Sequence, residues 1–239
     1  MALIECREMM PSLRNTTRFF ILIPEEGAVA AKAVLWLLPV RRGHANDWVR
    51  YTSIELWSRK AGIAVVMPEG LSSDFCNMKY GMHWWTFISE ELPQHLNRLF
   101  GLYTEENNLC FGAEMGALGA IKLGLLYSER FTAVGAVDTD FTCVEAYANG
   151  DIECHNMETI YGKWPVSEDV LSASDPMRIV EACVPADTTL FLKWSDNGAQ
   201  TIASKSGYPV IWCNTEPTDW ETYGTCLKEF LDKTVAKEV

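Results

Sequence analysis

Asn108-Leu-Cys-Phe-Gly112-Ala-Glu114-Met-Gly116-Ala-Leu-Gly119-Ala-Ile-Lys-Leu-Gly-Leu-Leu126 is the stretch on which the fold turns. A short apolar run, Asn108 to Phe111, leads straight into Gly112-x-x-x-Gly116 and then into a helical pattern. This is the layout of a nucleophile elbow, in which a G-x-Ser-x-G turn holds a serine hydroxyl at the carboxyl edge of a sheet. Such a turn leaves no room for a β-carbon two residues before or after its apex, and glycine stands at both places. Gly119 would let the following helix pack close to the strands. The apex is Glu114. The steric frame of the elbow is present and its nucleophile is not.

Outward from the elbow, short β-branched or aromatic runs alternate with helical stretches. Phe19–Ile23, Ala33–Leu38, Ile63–Met67, Phe131–Val137, Thr189–Lys193 and Pro209–Cys213 read as strands. Ile4–Met9 and Thr17–Pro24 are close enough to form an antiparallel hairpin. Helical patterns cover roughly Trp48–Lys60, Trp84–Phe100, Gly116–Tyr127 and Asp219–Lys233. Near-continuous apolar strands separated by helices predict an α/β fold, a mostly parallel sheet with helices on both faces. The chain reads as a single domain over 1–239, with 138–184 as an insertion over the sheet edge.

The charge balance narrows the partners. Lys plus Arg is 20 and Asp plus Glu is 32, a formal net charge of −12. With no basic run to offset it, nucleic acid is excluded as an expected partner. No segment has the roughly 18 consecutive apolar residues of a membrane span, and the N-terminus lacks an apolar export core. Eight cysteines, Cys6, Cys76, Cys110, Cys143, Cys154, Cys183, Cys213 and Cys226, show no CxxC or Cys/His ligand spacing. They read as free thiols of a cytoplasmic protein, with no metal and no cofactor expected.

Several stretches together resemble a known family. They are Ser53-Ile-Glu55, Ala64-Val-Val-Met-Pro68, Asn77-Met-Lys-Tyr-Gly81, Trp85-Thr-Phe-Ile-Ser-Glu-Glu-Leu-Pro93, the elbow, Glu129-Arg-Phe-Thr-Ala133 and Thr218-Asp-Trp-Glu221. In this order they resemble the esterase branch of the α/β-hydrolases, the tributyrin-esterase and S-formylglutathione-hydrolase-like carboxylesterases. The resemblance implies an α/β-hydrolase fold with a sheet of about eight strands. It also implies where the catalytic groups should be. The serine position is Glu114. The acid falls in Trp194-Ser-Asp-Asn197, at Asp196 or one place on at Asn197. The histidine position is Thr218. A His-Gly pair that opens the oxyanion hole is replaced by Pro39-Val40, so the oxyanion donors would be the amides of Arg41 and Met115.

A serine nucleophile needs a base and donors aimed at the developing oxyanion. Losing one triad member lowers turnover by roughly four orders of magnitude. With serine and histidine both replaced, the resemblance implies a non-hydrolytic pseudo-esterase that binds a small-molecule ligand or associates with itself or with an active paralogue. The alternative is an active hydrolase of small acyl esters built around Glu114, Asp196 and a displaced histidine. On the first reading the Glu114 carboxylate is expected to bind the turn amides, that of Met115 included. On the second it is the nucleophile, as a carboxylate is in dehalogenases and epoxide hydrolases. His44, His83 and Trp84 are further pocket candidates. His155 lies in the insertion, and His95 reads as structural. Arg41 and Arg42 are either a surface pair or an anion-recognising pair.

Overall fold

The computed structural model describes residues 1–102, 105–152, 155–193 and 197–235. Its strands are β1 (Ala2–Met10), β2 (Asn15–Ile23), β3 (Val34–Leu38), β4 (Ala64–Pro68), β5 (Asn108–Ala113), β6 (Phe131–Val137), β7 (Thr189–Lys193) and β8 (Val210–Cys213). They form one sheet in the order β1-β2-β4-β3-β5-β6-β7-β8. From β3 to β8 all neighbours are parallel, while β1 pairs antiparallel with β2 and β2 with β4. The expected hairpin and parallel sheet are both present. The helices are α1 (Asp47–Tyr51), α2 (Ile54–Ala61), α3 (Trp84–Thr86), α4 (Leu92–Phe100), α5 (Met115–Leu126), α6 (Cys143–Asn149), α7 (His155–Tyr161), α8 (Glu168–Ser174), α9 (Pro176–Ala182), α10 (Asn197–Ser206) and α11 (Trp220–Thr234).

Strand alternation sends side chains to two cores. On one face Trp36, Leu38 and Cys110 meet α4, α5, α9 and α10 through Leu92, Leu96, Ile121, Ile179, Val180 and Ile202. On the other, Leu35, Leu37 and Phe111 meet α1, α2 and α11 through Trp48, Ile54, Leu227 and Phe230. Helices α6 to α8 share a third, smaller core, where Val144, Tyr147, Ile160, Tyr161 and Leu171 enclose Cys76. Among the described residues no helix is long and apolar enough to cross a membrane.

Two sequence expectations change in the structure. The helix read over Trp48–Lys60 is broken into α1 and α2, because Thr52 turns extended (φ −133°, ψ 171°). Its hydroxyl donates to the carbonyl of Trp48 and accepts the amide of Ile54, so one side chain ends the first helix and starts the second. Between α3 and α4, Phe87–Glu91 widens into a π-helical turn. Pro93 follows and lacks the N–H that an α-helix would direct at the carbonyl of Ser89. Arg130 supplies the missing donor, with Nη1 2.8 Å from that carbonyl.

Helix α5 is buried almost all round, lysine included. Lys122 is 1% exposed, and its Nζ donates to the carbonyls of Asp74 and Phe75 at 2.9 Å and to Cys76 Sγ at 3.1 Å. Asp74 and Phe75 both have φ +49°, an arrangement that turns their carbonyls away from any ladder. A buried ammonium with these acceptors ties the loop after β4 to the helix behind the elbow.

Candidate active site

The elbow has the predicted shape. Strand β5 ends at Ala113, Glu114 adopts φ +50°, ψ −120°, and α5 begins at Met115. The amide of Glu114 donates to the carbonyl of Val137 at 3.2 Å, and its carbonyl accepts from Ala117 at 3.1 Å. A β-carbon at Gly112 would lie 2.2 Å from the carbonyl carbon and oxygen of Gly116. One at Gly116 would lie 2.6 Å from the carbonyl oxygen of Leu38. Both obstructions are backbone, so neither can step aside. The positive φ at a non-glycine apex costs about 1–3 kcal/mol, held in place by the surrounding packing.

The half-buried carboxylate of Glu114 does not bind the turn. No helix-capping bond runs from its side chain to the α5 amides, which corrects the expectation of a Glu114–Met115 amide contact. Instead, Tyr223 of α11 places its hydroxyl 3.2 Å from Glu114 Oε1. The same hydroxyl bonds Asp138 Oδ2 at the end of β6. One phenolic proton thus serves two carboxylates. Burial pushes the Tyr223 phenol well above its ordinary range, and the two anions reinforce the shift. The phenol is held as a donor.

Neither Tyr223 nor Asp138 was among the residues picked out by sequence. A weak signal existed for each: Tyr223 lies one helical turn beyond Thr218-Asp219-Trp220, and Asp138 directly follows a central strand.

The other predicted positions separate. The backbone of Leu38–Pro39 lies against Gly116, which puts the Pro39–Arg41 segment beside the elbow. Pro39 and Val40 are themselves buried, Val40 in the α1/α11 core, and neither is among the residues that line the two cavities described below. Arg41 turns its guanidinium to the buried Asp74, with Nη2 2.6 Å from Oδ1. Tyr161 holds the other oxygen of Asp74 at 3.1 Å. Arg42 is exposed, at φ +63°. Met115 buries its side chain against Gly70. Thr218 is exposed, and its amide donates to Thr222 Oγ1 at 2.9 Å beside the Asp219 capping box that opens α11. Asp196 lies outside the described residues, while Asn197 opens α10.

The histidines do not converge on Glu114. His44 is exposed, 3.3 Å from Arg18 and 4.0 Å from Glu69. His83 donates its amide to Ser12 and bridges to Asn77, against the β1–β2 turn. His95 is buried against Phe19 and Arg98, as a structural histidine should be. The side chain of His155 lies outside the described residues.

Two cavities border the elbow's sheet edge. One, of about 440 Å³, is lined by Arg18, His44, Glu69, Leu13, Met82 and Trp84. Glu69 is buried there and accepts from Arg18 Nε at 2.6 Å, while its Oε2 has no hydrogen-bond partner among the described residues and lies 4.0 Å from His44. The second, of about 540 Å³, is polar and lined by Asp138, Asp140, Thr142, Lys193, Asn197 and Glu216. Lys193 is paired within it to Glu216 at 2.6 Å. Among the described residues no group of three His, Cys, Asp or Glu side chains could hold a metal ion.

The phenol bridge is testable. Tyr223→Phe should lose about 1–3 kcal/mol, because Glu114 and Asp138 then face each other without a donor. A phenol whose pKa is raised by folding stabilises fully below pH 10, and that contribution is lost as pH rises past it. Urea denaturation at pH 7, 9 and 10.5 should therefore show a constant deficit at the first two values and a smaller one at the third. A deficit near zero at pH 7 would remove the bridge as a stabilising element.

Comparison with known proteins places this geometry among relatives. A family model described as "Putative esterase" matches residues 17–234. The diacylglycerol acyltransferase/mycolyltransferase Ag85A of Mycobacterium leprae is 24% identical over 182 residues, 69% of this chain and 54% of that protein. The chain thus spans about half the length of the curated relatives it matches. Among solved structures, the fluorophosphonate-binding serine hydrolase FphF of Staphylococcus aureus superposes with a TM-score of 0.80 at 21% identity, covering 99% of both chains. An S-formylglutathione hydrolase of Agrobacterium tumefaciens gives 0.79 at 13% identity, over 98% of this chain and 95% of the other. At these identities the structural likeness speaks for the fold.

Proposed function

Since the chain belongs to the esterase family of α/β-hydrolases, we propose that it is a member that has given up serine-dependent ester hydrolysis and works by binding a small molecule. The observation that carries the reading is the Glu114 carboxylate at the elbow apex, bonded to Tyr223. The family reaction needs an oxygen nucleophile, a base that takes its proton and donors for an oxyanion. At this apex stands a carboxylate, and the hydroxyl bonded to it is a phenol that donates rather than accepts a proton. Two carboxylates, Glu114 and Asp138, would oppose a third negative charge growing beside them. Arg41, whose amide occupies the oxyanion position by family correspondence, commits its side chain to Asp74.

What remains useful is the space at the carboxyl edge of the sheet. The 440 Å³ cavity offers an apolar wall of Leu13, Met82 and Trp84 opposite Arg18, His44 and Glu69, suited to a small molecule with an apolar body and a polar head. Association with a second copy or with an active relative fits the same reading.

A second reading, hydrolysis of small acyl esters through Glu114, draws on relatives described as serine hydrolases and S-formylglutathione hydrolases. The two separate in one experiment. The purified protein is expected to cleave p-nitrophenyl acetate and butyrate no faster than an albumin control, and to remain unlabelled by a fluorophosphonate probe. Turnover that Glu114→Gln abolishes would establish the second reading, and stoichiometric serine labelling would overturn the proposal outright.

A further inference from the structure

Cys213 closes β8 and Cys226 lies in α11, one helical turn beyond Tyr223. Their sulfurs are 3.4 Å apart, in hydrogen-bond contact, and both are unbonded thiols. Both residues are almost fully buried. The surroundings are asymmetric. Cys213 Sγ also lies 3.5 Å from the carbonyl of Thr215 and 3.6 Å from Glu229 Oε2, at the end of the strand. Cys226 is enclosed in the helix–sheet core with Leu227 and Phe230. We propose that Cys213 and Cys226 form a reversible dithiol–disulfide couple, closed by a peroxide and reopened by a dithiol reductant.

The chemistry balances in two steps. Cys213, as thiolate, attacks one oxygen of hydrogen peroxide. The O–O bond breaks, a sulfenic acid forms, and the departing hydroxide takes the thiol's proton as water. The Cys226 sulfur then attacks the Cys213 sulfur, its proton and the leaving hydroxide give a second water, and the S–S bond closes. Two thiols are oxidised by two electrons and one peroxide is reduced to two waters. The contact between the sulfurs supports this order. Hydrogen bonding to Cys226 lowers the pKa of the Cys213 thiol, and the same contact, with burial, keeps Cys226 protonated. A neighbouring thiol already in contact captures a sulfenic acid before a second peroxide can carry it to the irreversible sulfinic state.

The other thiols are differently placed. Cys110 sits alone in the core, where burial pushes its pKa far up, and burial raises Cys143 to about 12. The couple bridges the last strand to the helix that carries Tyr223, so its state bears on the element holding Glu114.

The test uses the reduced full chain, exposed to about tenfold hydrogen peroxide at pH 8, quenched with N-ethylmaleimide and mapped by peptide mass spectrometry. The expected result is a Cys213–Cys226 linked peptide as the main product, with a loss of two hydrogen masses from the intact chain that dithiothreitol reverses. Cys226→Ser and Cys226→Ala should both lose the link and leave Cys213 as a sulfenic acid that dimedone traps. Two variants guard against one that fails to fold. Oxidation falling mainly on Cys6, Cys143 or Cys183, or Cys213 and Cys226 remaining as alkylatable after unfolding as in untreated protein, would overturn the proposal.

Discussion

Gly112→Ala is expected to leave almost no folded protein. The new β-carbon would stand 2.2 Å from the carbonyl carbon and oxygen of Gly116 and 2.8 Å from the amide nitrogen of Ala117. Ordinary overpacking costs about 1–3 kcal/mol because side chains can shift. Here the obstruction is the backbone of the elbow itself, which Gly116 and the Leu38 carbonyl pin from the other side. Relief would require pulling α5 off the sheet, and α5 is buried along nearly its whole length. The loss should therefore consume most of a stability of about 5–15 kcal/mol. Gly224→Ala is the matched control. Its β-carbon would meet Thr52 at an ordinary 3.4 Å inside α11, and the substitution should stabilise the helix by up to about 1 kcal/mol. Soluble yield and urea midpoints of the two variants decide the matter. A Gly112→Ala protein within 1 kcal/mol of wild type would mean that the elbow is not built as described.

The largest expected effect on activity comes from rebuilding the site. Glu114→Ser alone should stay inactive, because a serine hydroxyl without a base is almost wholly protonated and the phenol of Tyr223, itself held protonated, cannot take its proton. Thr218→His alone should also do nothing while Glu114 holds the apex. Together they restore nucleophile and base in the chain order that this fold uses, serine before histidine. Since loss of a triad member costs roughly 10⁴ in turnover, recovery of even a small part should lift p-nitrophenyl acetate cleavage about tenfold or more above wild type and admit fluorophosphonate at residue 114. Thr218 is exposed, and only its amide is tied, to Thr222 Oγ1. If the double variant is folded and still neither cleaves nor labels, Thr218 is not where the family's base stands. If wild type cleaves and Glu114→Ser abolishes it, Glu114 is itself the nucleophile.

The elbow is readable from sequence because its constraint is local. Two glycines spaced around an apex, between an apolar run and a helical one, describe a turn whose sterics depend on about ten consecutive residues. The alternation of buried strands with helices was legible for the same reason, and it led to the mostly parallel sheet, whose eight strands the family resemblance implied. Local reading failed where a single side chain overrode a pattern, as when the Thr52 hydroxyl split a continuous helical period in two.

The binding partners of the apex carboxylate were beyond that reach. Glu114 and Tyr223 are 109 positions apart, and Tyr223 and Asp138 are 85 apart. Nothing in the spacing of Glu114 says whether its carboxylate folds back onto the Met115 amide or extends to a phenol. That choice depends on where α11 crosses the sheet, and hence on the packing of Phe230, Leu227 and Trp48 against the strands. The buried Lys122 and the Cys213–Cys226 contact follow the same rule, since each joins elements whose approach is decided by the whole core. The sequence by itself determined the fold, the family and that a glutamate stands at the elbow apex. Only the tertiary structure decided what the apex carboxylate touches, because hydrogen-bond partners far apart in the chain are brought into contact by packing and not by sequence spacing.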